Sequence, residues 1–148
     1  MIQLVRITGD LPDGFAALLA DAAAEGVRNM ALLDQAWASG VERFDGDGEA
    51  LLGALLAGTL VGVGGLSVEA ASVEPARRLR RLYVRPDYRR QGVARTLASA
   101  LIQEGLDQVD LLTVNAAASP AAPPFWEAQG FSSDSTGPWT HVLRRSIG

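Results

Sequence analysis

The sequence lacks cysteine and lysine, and it contains a single histidine, His141. Without cysteine the chain forms no disulfide and has neither a thiolate metal ligand nor a cysteine nucleophile. One histidine excludes a site built from several imidazoles, so we predict no metal. No apolar run reaches the roughly 18 residues of a membrane span. The first residues, MIQLVRITGD, show no basic region followed by an apolar one, so we expect no signal peptide and a cytoplasmic protein without membrane contact.

What the sequence has is an ordinary domain length and an uneven distribution of charge. With 148 residues, 48% of them hydrophobic, we expect one domain over residues 1–148 with a real core. The formal net charge of −4 argues against nucleic acid as a partner. Residues 1–76 carry 11 acids and 3 arginines, whereas residues 77–148 carry 6 acids and 10 arginines. Eight arginines lie between positions 77 and 95, which indicates a local anion site.

The order of apolar patterns predicts a mixed α/β (α+β) domain. Alternating or continuous apolar runs predict strands, and apolar residues at helical spacing predict helices. The resulting order is β-α-α-β-β-β-α-β-α-β-β, a largely antiparallel central sheet flanked by helices. The predicted strands are 2–8, 49–56, 60–69, 79–84, 110–114, 131–135 and 139–144, and the predicted helices cover 15–23, 30–37, 94–102 and 125–129.

The segment from Leu82 to Leu97 reads as a strand, a turn and an amphipathic helix, LYVRPDYRRQGVARTL. A helix N-terminus presents unpaired N–H groups and the positive end of the dipole, to which phosphates bind readily. Gly92 lets the backbone approach a ligand closely, because no Cβ intervenes. Residues 89–95 are therefore a candidate phosphate or pyrophosphate site. The arginines at 77–81 have a different interpretation, which we favour: the solvated outer face of a strand.

These residues resemble a known family. Arg89-x-x-Gly92-x-Ala94, preceded by Leu82-Tyr83-Val84-x-Pro86, is similar to the acetyl-CoA signature of the GNAT N-acetyltransferase superfamily. Asn115 follows the next strand, where that family often has an asparagine near the cofactor. The segment Phe125-Trp126-Glu127-Ala128-Gln129-Gly130-Phe131 resembles the family's aromatic segment. The order of elements matches over nearly the whole chain.

The resemblance implies acetyl-CoA as co-substrate and a role for each part of the signature. The backbone of Leu82, Tyr83 and Val84 would face the pantetheine arm and the acetyl group. Asn115 would bond the pantetheine or nearby backbone, and Phe125 would line the channel. The backbone amides of the following residues would cradle the pyrophosphate, and their arginine side chains would reach the 3′-phosphate: Arg89, Arg90, Gln91, Gly92, Val93, Ala94 and Arg95.

The groups that move protons are less well marked. The family commonly uses a tyrosine acid in its aromatic segment, but Trp126 stands there, and an indole N–H is no general acid. Ser119 is a candidate substitute, and water or solvent is an alternative. For the base, the candidates are Glu69, at the end of a strand, and His141, whose ordinary pKa suits the task.

The resemblance implies an N-acetyltransferase that acts on a primary amine of a small molecule or peptide by direct transfer in a ternary complex. The alternatives are a non-catalytic acyl-CoA-binding or sensing module and a transferase that uses another acyl-CoA. The acidic residues 1–76 would form much of the acceptor side, which favours a cationic amine if they are more than an ordinary acidic surface. A homodimer is compatible with exposed final strands.

Overall fold

A computed structural model describes residues 1–146 of the chain as one seven-stranded sheet with helices on both faces. Among these residues no helix is long and apolar enough to cross a membrane. The elements, in chain order, are β1 (Ile2–Arg6), α1 (Phe15–Ala24), α2 (Asn29–Ser39), β2 (Ala50–Leu56), β3 (Thr59–Val68), β4 (Ala76–Val84), α3 (Val93–Leu106), β5 (Leu111–Val114), α4 (Ala122–Ala128), β6 (Ser132–Ser133) and β7 (His141–Arg144), with a short 3₁₀ turn at Pro86–Tyr88 before α3.

The sheet is antiparallel except at its centre. Its strand order is β1-β2-β3-β4-β5-β7-β6, and only β4 and β5 run parallel. Their ladder joins Ala76–Leu79 to Leu111–Val114 and then stops, although β4 continues to Val84. The last five residues of β4 therefore have no strand partner on the β5 side, and the two strands leave a gap there.

Each face of the sheet has its own apolar core. The α3 and α4 face buries Leu79, Leu97, Leu112 and Trp126 among others, in keeping with the helical spacing of α3. The α1 and α2 face buries Leu18, Met30, Leu33, Trp37 and Val63 among others. A strand covered on both faces is expected to be apolar throughout. Arginines inside β4 therefore need a specific explanation.

A β-bulge in β4 sets which side chain points to which face. Arg81 has a positive φ of 60°, and the ladder to β3 shifts there. Arg80 pairs with Gly65 and Tyr83 with Val63, so Arg80 and Tyr83 share the α1 and α2 face although they are three residues apart. Leu82 consequently packs with the α3 core.

The predicted fold class and element order are confirmed, but several predicted bounds are wrong. β4 begins at Ala76 rather than at 79, because β5 pairs with the arginine-rich residues that read as a loop end and a solvated face. Helix α4 begins at Ala122, since Pro123 and Pro124 occupy its first turn, where a missing N–H costs nothing. The last two strands are shorter than predicted, at 132–133 and 141–144.

Candidate active site

The N-terminus of α3 carries a run of free backbone donors. Within residues 1–146, none of the N–H groups of residues 90–95 donates to a protein atom, whereas the N–H groups of Arg89 and Thr96 bond Pro86 and Gly92. An ordinary helix leaves four orphan donors at this end, and here no side chain caps them. The Arg89 N–H therefore already has a partner, and the backbone N–H groups available to a phosphate are those of residues 90–95.

The backbone conformation that aims these donors depends on Gly92. Its φ of +81° is left-handed, and Arg90 also has a positive φ of 65°. A Cβ at position 92 would approach only the Arg95 guanidinium, at 3.8 Å. The glycine is therefore favoured by its backbone conformation, and no crowding within the protein requires it.

Two adjoining cavities meet at this helix end. The first, of about 410 Å³, lies over the cradle and is lined by Tyr88, Arg90, Gly92, Val93, Arg95 and Gln129, among others. The second, of about 490 Å³, lies in the gap between β4 and β5. Val84, Arg89, Ala94 and Phe125 line both, so the two form one groove from the helix terminus to the open strand edge. Both volumes lie in the range of ligand sites.

A hydrogen-bonded group fixes the loop between β4 and α3 to the end of α1. The Arg89 guanidinium donates to both oxygens of Glu25, at 2.7 Å each, and the Tyr83 hydroxyl donates to Oε1 at 2.5 Å. The guanidinium of Arg89 and the hydroxyl of Tyr83 together hold the pKa of the Glu25 carboxyl below its ordinary value. Burial, together with the bond to Glu25, raises the pKa of Tyr83 well above its ordinary value. Arg89 therefore fixes this loop to α1, and its charge is paired with Glu25 and not available to a cofactor phosphate.

Other predicted site residues also reach the groove. Leu82, Asn115 and Ser119 line the gap between β4 and β5. The Asn115 side chain caps its own turn, since Oδ1 accepts from the Ala117 N–H at 3.0 Å. Gln91 is the one predicted cofactor residue outside both linings, and it contributes to the cradle through its free N–H.

Glu69 and His141, the two predicted bases, lie outside the groove lining. Glu69 follows β3 and accepts from the Thr113 hydroxyl at 2.8 Å. His141 is only 5% exposed, and its ring nitrogens contact Thr140 at 2.8 Å and Glu127 at 2.9 Å. His141 pairs with Val114 on the α3 and α4 face, where it joins β7 to α4.

Sequence reasoning missed four residues that line the gap. Asn29 begins α2, and its Nδ2 donates to the Leu82 carbonyl at 3.1 Å. Arg78, Arg80 and Arg81 also line this cavity and are half-buried, so the interpretation of them as a solvated face is wrong. The arginines of ARRLRRLYV come in adjacent pairs, which a regular strand directs to opposite faces, so the pattern did not show which of them border a cavity.

The free N–H groups at the α3 terminus and the adjoining gap between β4 and β5 form a site suited to a ligand that carries a phosphate group. The family model described as "Acetyltransferase (GNAT) domain" matches residues 18–138, so the chain belongs to the GNAT acetyltransferase family and is an acyl-CoA-dependent acyltransferase. The resemblance of the sequence to this family is thereby confirmed.

Solved structures agree with this assignment. A protein from Exiguobacterium sp. 255-15, provisionally named an acetyltransferase, is 25% identical with a TM-score of 0.85, over 97% of this chain and 93% of that chain. Glucosamine-6-phosphate N-acetyltransferase from Arabidopsis thaliana is 16% identical with a TM-score of 0.67, over 100% and 98%. A GNAT family acetyltransferase from Elizabethkingia anophelis with acetyl-CoA bound is 14% identical with a TM-score of 0.65, over 97% and 98%. No curated protein matches the sequence.

Proposed function

We propose that this protein is an N-acetyltransferase that moves the acetyl group of acetyl-CoA to a primary amine by direct transfer in a ternary complex. The observation that carries the proposal is the run of six free N–H groups at the α3 terminus, continuous with the gap between β4 and β5. The structure from Elizabethkingia anophelis supports it, because acetyl-CoA is bound there on a similar fold. The proposal treats residues 1–148 as one catalytic domain.

In this proposal the groove orders the co-substrate by charge and shape. The N–H groups of residues 90–95 receive the pyrophosphate, with Arg90 and Arg95 beside them. Phe125 lines the passage into the gap, where β4 beyond Leu79 has an open edge toward β5. The backbone of Leu82–Val84 borders the acetyl end, and Asn115 keeps its Nδ2 for the pantetheine.

The transfer forms a nitrogen–carbon bond and breaks the carbon–sulfur bond of the thioester. The attacking amine must be neutral, and the proton that it loses must finally balance the thiolate that leaves. Among the described residues that line the gap there is no aspartate, glutamate or histidine. We therefore assign deprotonation of the amine to solvent. The leaving thiolate receives a proton from the Ser119 hydroxyl or from water.

The same observation supports a second candidate function, an acyl-CoA-binding module without turnover. Such a module keeps the cradle and needs no proton-transferring side chain. A third candidate is the same reaction with a different acyl group, since the gap borders an open groove.

Glu69 and His141 stay predictions as bases. Homodimerisation also stays a prediction, which sedimentation of the purified protein tests.

A calorimetric titration with acetyl-CoA, followed by thiol detection over a panel of primary amines, separates these candidates. The enzyme is expected to bind acetyl-CoA one to one and to release CoA with at least one amine. Binding without thiol release over the panel favours the sensing module. Tighter binding and faster turnover with propionyl- or succinyl-CoA favour another acyl group, and absence of acetyl-CoA binding refutes the proposed site.

A further inference from the structure

Three arginines of β4 form a basic wall in the gap, and two of them, Arg78 and Arg80, lie on the face that carries α1 and α2. Arg78, Arg80 and Arg81 line the cavity and are half-buried. Within residues 1–146, none of their guanidiniums forms a hydrogen bond or a salt bridge. Burial together with the charges of Arg78 and Arg81 lowers the pKa of Arg80 to about 10. Half-buried like charges without a salt-bridge partner are unfavourable, so folding alone does not explain them.

The carboxylates near this basic wall have other partners. Glu42 accepts from the Phe44 N–H at 2.6 Å, and Glu69 accepts from Thr113 and from the Ala71 N–H. Neither carboxylate lines the cavity. The basic wall therefore keeps its positive charge available to a ligand in the gap.

The unpartnered polar atoms of the protein gather on the same face. In the described part of the chain, the buried side-chain polar atoms without a partner are Asn29 Oδ1, Ser67 Oγ and Arg80 Nε. Asn29 and Arg80 line the cavity, and Ser67 pairs across the strands with Arg78 and so shares its face. Native proteins leave few such atoms unbonded, so a ligand or an ordered water is expected to bond them.

The basic wall is too far from the cradle to serve the co-substrate phosphates. Arg81, Arg80 and Arg78 precede Val84 by three, four and six residues, roughly 10, 13 and 20 Å along a strand. The cradle lies beyond Val84, at the end of α3, which packs on the other face of the sheet. An anion at the basic wall therefore belongs to a different molecule from the one whose phosphates bind residues 90–95.

We propose that the acceptor amine carries an anionic group, a carboxylate or a phosphate, which Arg78, Arg80 and Arg81 bind while its amine lies near Asn29. This inference rests on the proposed function and names the substrate class of that site. Asn29 Oδ1 accepts the N–H of the amine, next to the Leu82 carbonyl that holds Asn29 in place. Arginine suits the opposite end, because its planar fork bonds carboxylate and phosphate through two parallel hydrogen bonds.

The cationic acceptor suggested by the acidic residues 1–76 fits this cavity poorly, because the charged side chains that line it are all arginine. The acidic residues of positions 1–76 lie on the outer surface or in ion pairs, such as that of Asp21 with Arg85.

The first test uses inorganic phosphate as a probe at saturating acetyl-CoA, so that the cradle is already filled. Phosphate is expected to raise the melting temperature of the wild type with the logarithm of its concentration, and to raise that of Arg80→Met only by the smaller non-specific effect of the salt. Arg77→Met is the matched control, since Arg77 lies on the same strand but bonds Gln108 outside the cavity. Arg80→Met without phosphate is expected to melt above the wild type, because it removes a half-buried charge without a partner.

The second test compares acceptors that differ only in the anion: O-phosphoethanolamine with ethanolamine, and glycine with glycinamide. We expect kcat/KM to be at least tenfold higher for the anionic member of one or both pairs. The pair that shows the difference tells whether the site prefers phosphate or carboxylate. Arg80→Met is expected to abolish this preference. A higher kcat/KM for ethanolamine and glycinamide than for their anionic counterparts overturns the inference. Acetyl-CoA binding with no stabilisation by phosphate also overturns it and leaves the proposed function intact, whereas failure to bind acetyl-CoA overturns the proposed function itself.

Discussion

Replacement of Gly92 by alanine tests the phosphate cradle with the smallest available change. Gly92 has a φ of +81°, which an L-residue adopts at a cost of about 1–2 kcal/mol. If the loop relaxes to avoid this strain, acetyl-CoA must restore the cradle on binding. The same 1–2 kcal/mol then appears as a loss of affinity of about 5- to 30-fold. If the loop does not relax, the new Cβ stands where the ligand approaches the free amides, and the affinity falls as well.

Gly58→Ala is the matched control for backbone strain. Gly58 also has a φ of +81°, has no atom within 4 Å of a Cβ built on it, and lies in the β2–β3 turn outside both cavities. Calorimetric titration is expected to show wild-type affinity for Gly58→Ala and weakened affinity for Gly92→Ala. A Gly92→Ala protein that binds acetyl-CoA within about twofold of Gly58→Ala would refute the assignment of the cradle.

Two further predictions concern side chains that position the groove. Glu25→Gln is expected to weaken acetyl-CoA binding and lower the melting temperature, because it loosens Arg89. The pKa of Glu25 is lowered from 4.5 in the folded protein. The stabilisation that its carboxylate provides is therefore complete above about pH 4.5 and is lost as the pH falls through the lowered pKa. The melting temperatures of wild type and variant should thus converge in acid. His141→Phe is expected to cost about 1–3 kcal/mol of stability through the bonds to Glu127 and Thr140. If solvent deprotonates the amine, its kcat stays unchanged under conditions where it is folded, whereas a large fall in kcat would support the prediction of His141 as the base.

Local patterns predicted the elements and the cradle because those features depend on neighbouring residues. The helical spacing of Ala94, Leu97, Ala98 and Leu101 identifies α3, and Gly92, predicted to allow close approach of a ligand, is the residue that precedes its first turn. The short strand at 110–114 reads correctly because it is buried on both faces. Each of these inferences needs only the physics of one segment.

The acceptor side was not predictable in this way, because it depends on pairing between distant segments. The ladder with β5 places Ala76–Leu79 inside the sheet, and nothing in residues 76–81 alone reveals that partner. Asn29 reads as a helix-start residue until the fold brings it to Leu82, which is 53 positions away. The acidic composition of residues 1–76 described the surface and said nothing of the cavity.

The bulge at Arg81 determines both halves of the site, and its removal makes a sharp prediction. Strict alternation from Leu79 would turn Tyr83 toward α3, and Leu82 and Val84 toward α1 and α2. The structure has the reverse, with Leu82 and Val84 in the α3 core and Tyr83 bonded to Glu25, because the bulge adds one residue to β4. Arg81→Val opposes the bulge, because a β-branched residue rarely adopts a positive φ. Flattening the bulge without loss of a residue would exchange these faces, so Arg81→Val should weaken acetyl-CoA binding and lower the melting temperature. Arg81→Gly removes the same side chain but keeps the bulge and its positive φ, so it should retain acetyl-CoA binding. Equal acetyl-CoA affinity in the two variants, measured by calorimetry, would show that the bulge does not set the register of the site.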